Sequence, residues 1–371
     1  MKRITLILIV VLLMLPALAM AKADLVVVTD APPKSMNPHA FSSDANLSYM
    51  SNFFDGLLQR PAPDGKLSPA LAEKWERLDG LTWKFELRKG VKFHNGNDFN
   101  AADVKFTFER MKDPKYSKLL NIANSIAAIE TPDDYTVIFK TVKPVPWFAE
   151  TMHQNFIVDM QSSKDRDDGD YNTRPIGTGA YKFVEWVKGS YVSMAANEDY
   201  WEGAPKYKTV EIRPITEEAT RFAALAGKQA DIVNGVPVTL IERIEKMPHV
   251  ELISRPARRA IYMDISNKPG TPFADIRVRK AIAHAIPYEA IFQSAAYGRG
   301  APMWGGPAEI TDTAWPRPFP YATDMDKARE PLEASSFASG FPVQMSISLD
   351  LASWMEPTAL LIQESLGQLG I

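Results

Sequence analysis

Between Thr82 and Arg88 the chain alternates without interruption: Trp83, Phe85 and Leu87 fall on one side, Thr82, Lys84, Glu86 and Arg88 on the other. A period of two belongs to an extended strand, and a strand with one apolar and one charged side belongs to a sheet with one dry face and one wet face. Such a strand needs neighbours. Tyr135 to Lys140 repeats the pattern through Tyr135, Val137 and Phe139. Between them, Asn95-Gly96 marks a turn, and Asn100 is placed to cap a helix with Asp103 at its third position. That helix is expected to run to about Met111 and to bury Val104, Phe108 and Met111. Residues 52–170 therefore read as an α+β unit of their own, closed by the polar stretch Gln161 to Asp170 on the surface.

The flanking sequence follows a different plan. Asp24 to Thr29 is a short β-branched run suited to a buried first strand. Pro32, Pro33 and Pro38 then hold an extended loop around Ser35-Met36-Asn37. Asn46 to Leu58 has helical spacing. Tyr181 to Val187 and Tyr191 to Ala195 read as strands. Thr216 is expected to cap a helix through Ala226, which Gly227 ends. Asp275 caps another from Ile276 to Ile286, and Pro287 forces a break. An alternating strand with Val343, Met345, Ile347 and Leu349 precedes an amphipathic helix from about Met355 that carries Leu360, Leu361, Leu366 and Leu369. A chain of 371 residues exceeds the roughly 250–300 at which single cores stop growing, so two lobes are expected.

Several function classes drop out on composition. Lys2 and Arg3 precede the apolar run Ile4 to Met20, with A-x-A cleavage options at Ala19-Met20-Ala21 and Ala21-Lys22-Ala23. This is the layout of a secretory signal peptide, residues 1–23. Its removal deletes Lys2, Arg3 and Lys22, taking the net charge from −3 to −6. The 42 Lys and Arg against 45 Asp and Glu leave no basic footprint for nucleic acid. With no cysteine, disulfides, thiolate metal sites, a cysteine nucleophile and a lipid-bearing N-terminal cysteine are all excluded.

Catalytic patterns are missing as well. The histidines, His39, His94, His153, His249 and His284, show no metal spacing, and no G-x-S-x-G elbow exists. Gly177-Thr178-Gly179 has Lys182 where a dinucleotide loop needs its third glycine, and reads as a structural turn. Glu217-Glu218 and Asp133-Asp134 read as cap and turn residues. Catalytic residues, cofactors and metals are therefore expected to be none. Tyr49, Trp147, Trp201, Tyr262, Trp304, Trp315 and Trp354 sit where periodicity does not bury them, which favours binding over chemistry, with Trp201 the first to assign to packing.

The ordered motifs carry a resemblance. Ser68-Pro69-Ala70-Leu71-Ala72-Glu73-Lys74-Trp75, the strand Leu81 to Arg88, Gly90-Val91-Lys92-Phe93-His94-Asn95-Gly96 and Phe99 to Val104 resemble the family 5 extracellular solute-binding proteins. So do Pro175 to Tyr181, Asn197 to Lys206, and Asn267 to Ala285 with Ile276-Arg277-Val278-Arg279-Lys280-Ala281. The resemblance spans Leu25 to Ile371. It implies a mixed α/β, two-lobed periplasmic binding protein type II-like fold. Lobe I would be discontinuous, residues 24–51 and 171–260, with 52–170 as its inserted α+β subdomain, and lobe II would take residues 261–371. It further implies a monomeric, non-enzymatic periplasmic receptor that closes hinged lobes on a peptide and delivers it to an ABC permease and its ATPase subunits.

Departures from the family pattern matter for specificity. The amine-binding aspartate of its peptide receptors corresponds to a position beyond Ile371, and family members are longer than this chain, so lobe II is expected to be incomplete. No arginine stands in Leu351 to Pro357, where dipeptide receptors have one. Pro287-Tyr288 and Glu330-Pro331-Leu332 replace helical sequence. The candidate ligand contacts are Ser35, Met36 and Asn37 in lobe I, Arg259 and Tyr262 at the crossing, and Trp304 and Trp354 in lobe II. A nickel-complex or oligosaccharide receptor, a secreted hydrolase, and a periplasmic sensor or chaperone on the same scaffold are the alternatives.

Overall fold

The computed structural model describes residues 23–41, 43–61, 66–164, 172–254, 263–295, 297–299, 321–347 and 354–371. The signal-peptide run, Arg259, Tyr262, Trp304 and Trp315 lie outside the described residues. Two compact units divide between Gly235 and Val236.

The first unit contains two sheets. Strand β1 (Leu25–Thr29) lies between β10 (Thr209–Pro214) and β11 (Ile232–Val233), parallel to both, and the order β11-β1-β10-β9-β8 is completed by β8 (Tyr181–Val187) and β9 (Tyr191–Ala196). Both faces of β1 are covered. Leu25 and Val27 pack towards Tyr49, Met50 and Phe53 of helix α1 (Asp44–Phe53), and Val26 and Val28 towards Ala230, Ile215 and Val233. Tyr49, expected to be left out by the helical period, is fully buried. Helix α1 ends at Phe53, short of the expected Leu58, yet Phe54, Leu57 and Leu58 remain buried in extended chain, so their apolar character served either conformation. The short β2 (Leu58–Gln59) then pairs with β3 (Ser68–Pro69).

The second sheet is the antiparallel β4-β5-β7-β6, from Ala72–Arg77, Thr82–Leu87, Thr136–Thr141 and Ile126–Asp133. Trp83 pairs with Phe139 and Phe85 with Val137. Its dry face meets helix α2 (Ala101–Arg110) at Phe108, whose ring centroid lies 5.0 Å from that of Phe139. The expected cap is present and reciprocal: Asn100 accepts from the Ala102 N–H at 2.8 Å, and its own N–H donates to Asp103 at 2.9 Å. On the wet face Lys84 lies 2.8 Å from Glu86 and 3.5 Å from Glu76. Short helices α3 (Leu120–Ser125), α4 (Phe148–Thr151) and α5 (Met160–Lys164) complete this region. Trp147, just before α4, remains 60% exposed.

Helix α6 (Glu218–Ala226) joins β10 to β11. Its cap is Glu217 and not Thr216: the longer carboxylate reaches the N–H groups of Ala219 and Thr220. The Gly177-Thr178-Gly179 turn is a close approach of backbones. Gly179 N–H donates to Phe53 O at 3.0 Å, and a side chain at either glycine would overlap the carbonyl oxygen of Phe53 or Asn52.

The second unit is helical among its described residues: α7 (Ile241–Glu245), α8 (Ile276–Ala285), α9 (Tyr288–Ser294), α10 (Met325–Glu333) and α11 (Met355–Gly367), with one-turn 3-10 segments at Val238–Leu240 and Pro272–Ala274. Val278, Ile282 and Ala285 of α8 pack with Leu332, Phe341, Ile362 and Leu366. Pro331 stays inside α10, two residues from its end, where the missing N–H removes a bond from the last turn only. The strand expected at Val343 to Leu349 is absent over its described residues; Val343, Met345 and Ile347 are exposed. A strand forms only against a neighbour, and no described segment of this unit supplies one.

Candidate functional site at the carboxyl ends of the parallel strands

In open α/β sheets, ligands bind beyond the carboxyl ends of parallel strands, where the connections diverge to either side. Strand β1 occupies that position in the first unit, with β10 on one side and β11 on the other. Register brings Thr29 opposite Pro214 and Val28 opposite Val233, so the three carboxyl ends share one edge. Backbone bonds continue past the strands: Ile215 N–H donates to Thr29 O at 2.8 Å and Asn234 N–H to Val28 O at 2.9 Å.

One side chain ties this edge together. Arg221 of α6 is 4% exposed; its Nε and Nη2 donate to Gly235 O at 2.9 and 2.7 Å, and its Nη1 to Ile215 O and Thr216 O at 2.7 and 2.8 Å. The guanidinium thus satisfies carbonyls that follow β10 and β11. Gly235 has φ +69°, a conformation that favours glycine. On the opposite side of β1, the Tyr49 hydroxyl lies 3.0 Å from Thr29 Oγ1. Burial raises the Tyr49 pKa, keeping the phenol protonated as a donor.

Ser35, Met36 and Asn37 lie in the loop leaving this edge, and are buried within the first unit at 5%, 0% and 3% exposure. Ser35 Oγ donates to Asn172 Oδ1 at 3.1 Å and accepts from Asn37 N–H at 2.9 Å. Asn37 donates through Nδ2 to Tyr116 O and accepts the His39 N–H, while Met36 N–H donates to Asn172 O. Their polar groups are committed inside the unit. Trp354 is half-buried ahead of α11 in the second unit, its carbonyl accepting from both N–H and Oγ1 of Thr358. Sequence reasoning missed Arg221 and Asp30. The available signals were an arginine among Phe222, Ala224 and Leu225 on a short helix, and an acid directly after a buried strand.

Two further polar centres serve structure. Asp55, at the start of the inserted region, accepts from Tyr200 OH at 3.0 Å, Trp201 Nε1 at 3.0 Å and Thr178 Oγ1 at 2.8 Å. Burial raises its pKa, and the three donors oppose that shift. Trp201 is therefore a packing residue, as assigned from sequence, with Arg88 stacked 4.5 Å from its ring. An open depression of about 380 Å³ is lined by Asn97, Asn100, Asp103 and Asp159. Its acids already have donors: Met160 N–H and Asn100 N–H for Asp103, and the amides of Asn95 and Asn97 for Asp159. Among the described residues, no group of three or more His, Asp or Glu is placed to hold a metal, and no helix is long and apolar enough to cross a membrane.

Comparison with known proteins agrees with this geometry. The family model for bacterial extracellular solute-binding proteins, family 5 Middle, matches residues 66–371. The glutathione-binding protein GsiB of Salmonella choleraesuis is 30% identical over 360 residues, covering 95% of this chain and 69% of the relative. Among solved structures, AgaA of A. tumefaciens R10 in complex with agropinic acid gives a TM-score of 0.78 at 27% identity, covering 94% of this chain and 71% of the other. DppA of Helicobacter pylori, an ABC transporter-associated periplasmic binding protein in complex with the peptide STSA, gives 0.77 at 26% identity over 94% and 72%. With its two units and the strand-end site on β1, this chain belongs to the family 5 bacterial extracellular solute-binding proteins, the solute receptors of ABC importers.

Proposed function

We propose that this protein is exported by a cleaved signal peptide, residues 1–23, and binds peptides or peptide-like amino-acid derivatives for import. The observation that carries this reading is the shared edge of β1, β10 and β11, braced by Arg221, in a chain whose relatives include GsiB and DppA. Lobe I corresponds to residues 24–51 and 171–260, with 52–170 inserted, and lobe II to 261–371. The receptor acts as a monomer, releases its solute unchanged to a permease driven by ATPase subunits, and has no catalytic step. Ser35, Met36 and Asn37 shape the loop through their internal bonds and meet solute through its outer surface. Trp354, with Arg259, Tyr262 and Trp304, supplies contacts from the remaining sequence.

Calorimetric titration of the purified chain with glutathione, the peptide Ser-Thr-Ser-Ala, a nickel–histidine complex and a neutral oligosaccharide tests the reading. Heat with glutathione or the tetrapeptide, and recovery of the ligand intact, is the expected result. Heat confined to the nickel complex or the sugar moves the protein to another ligand class. Hydrolysed peptide would make it an enzyme. Mass spectrometry of exported protein tests the leader, with Asp24 expected as the new N-terminus.

A further inference from the structure

At the carboxyl end of β1, the residue that follows Thr29 is Asp30, and it differs from every other polar group at that edge. Arg221, Thr29 and Tyr49 all have hydrogen-bond partners. Asp30 is exposed and makes no hydrogen bond or ion pair among the described residues. Its backbone is nonetheless rigidly placed. Thr29 O accepts from Ile215 N–H on the strand side, and Ala31 O accepts from Thr29 Oγ1 at 3.3 Å and Tyr49 OH at 3.4 Å on the other. Pro32 and Pro33 follow and stiffen the departing loop.

The side chain is positioned as well. The point where Gly235 would carry a Cβ lies 3.5 Å from Asp30 Cβ, 3.7 Å from Asp30 Oδ2 and 3.6 Å from Arg221 Nη2. A glycine there leaves room beside the carboxylate, and Arg221 fixes that glycine through its carbonyl. A carboxylate held on a rigid strand end, with its acceptor oxygens unused, is organised for a donor that arrives from outside.

We propose that Asp30 receives the protonated amine of the solute. The proposal rests on the reading of this chain as a receptor for peptide-like solutes and deepens it. An ammonium has three donors and no acceptor, which suits a lone ionised carboxylate beside backbone carbonyls. A metal ion would need further ligands, and no cluster of three stands among the described residues. Asp30 is thus a specificity-determining contact that separates solutes with a free amine from those without one.

The test is calorimetry of the full chain and of Asp30→Asn with Ser-Thr-Ser-Ala and with its N-acetylated form, circular dichroism confirming that the exposed substitution leaves the fold intact. The expected result is that Asp30→Asn binds the free-amine peptide about tenfold more weakly, while the acetylated peptide binds both proteins alike. Equal binding of the free-amine peptide by both proteins overturns the role of Asp30 and leaves the peptide reading standing. If the unsubstituted chain binds neither this peptide nor glutathione, the peptide reading itself has failed and the assignment falls with it. The titration of the unsubstituted chain tells the two failures apart.

Discussion

The two sheets of the first unit solve the same burial problem in different ways. In β4-β5-β7-β6 every pairing is antiparallel, one face packs on α2 and the other carries Lys84 between Glu76 and Glu86 in water. In β11-β1-β10-β9-β8 the central strand is parallel to both neighbours and covered on both faces. A sheet with a wet face can end in tight turns and needs no further cover. A sheet buried on both faces has only its strand ends open, and loops leaving those ends are where solute can be met. Function therefore gathers where β1 ends, while the antiparallel sheet, with its larger aromatic core, stabilises the region inserted beside it.

The comparison is broken most severely by acid. His39, in the loop after β1, donates through Nε2 to Phe156 O and is fully buried, and desolvation lowers its pKa to about 3. The unfolded chain takes up that proton near pH 6.5 and the native one only near 3, so stability present at neutral pH is lost as pH falls between them. The full loss is on the order of 4–5 kcal/mol. Asp103, raised to about 6 chiefly by burial, acts with the opposite sign, since its native form holds a proton down from about 6 where the unfolded form loses its proton above about 3.8. Denaturant unfolding of the wild type and of His39→Gln across pH 7 to 4 measures the net slope. An unchanged slope in the variant would remove His39 from the account.

Phe139→Ala comes next. Its ring meets Phe85, Phe108 and Phe148, and truncation is expected to cost about 3–5 kcal/mol in denaturant midpoint. If the inserted region is energetically separate, solute binding by the still-folded protein stays within a factor of two or so of wild type. Asp55→Ala tests the join between the two sheets. Leaving Tyr200, Trp201 and Thr178 without their acceptor is expected to cost about 3 kcal/mol, and to separate one unfolding transition into two. A single sharp transition with no loss of stability would deny the join. The smallest effect on stability, about 2 kcal/mol, is expected for Arg221→Met, which strips donors from Ile215, Thr216 and Gly235. Its larger signature should be weakened solute binding, read by calorimetry, because the strand-end carbonyls lose their brace.

Local pattern was legible where one residue's neighbours in sequence are also its neighbours in space. The alternation at Thr82 to Leu87, the Asn100–Asp103 cap and the Asp275 cap all depend on residues two to four apart. The expected strand at Val343 to Leu349 fails over its described part because pairing is not a property of one segment. Pro331 shows a milder limit: a residue that breaks a helix interior is tolerated near its end. Tyr49 looked unplaced by periodicity and is fully buried because α1 covers a sheet assembled from strands more than 150 residues away.

The site divides along the same line. Sequence pointed to the loop after the first strand through its prolines, and Ser35, Met36 and Asn37 do lie there, with their polar groups bonded inward. It did not reveal Arg221, whose acceptors belong to Ile215, Thr216 and Gly235, or the unpartnered carboxylate of Asp30. The amino-acid order alone determined the elements, the export signal and the family resemblance, because each is written in short spacings or ordered motifs. Only the tertiary structure decided which polar groups are satisfied and which remain open, because hydrogen bonding is settled by distance across the fold.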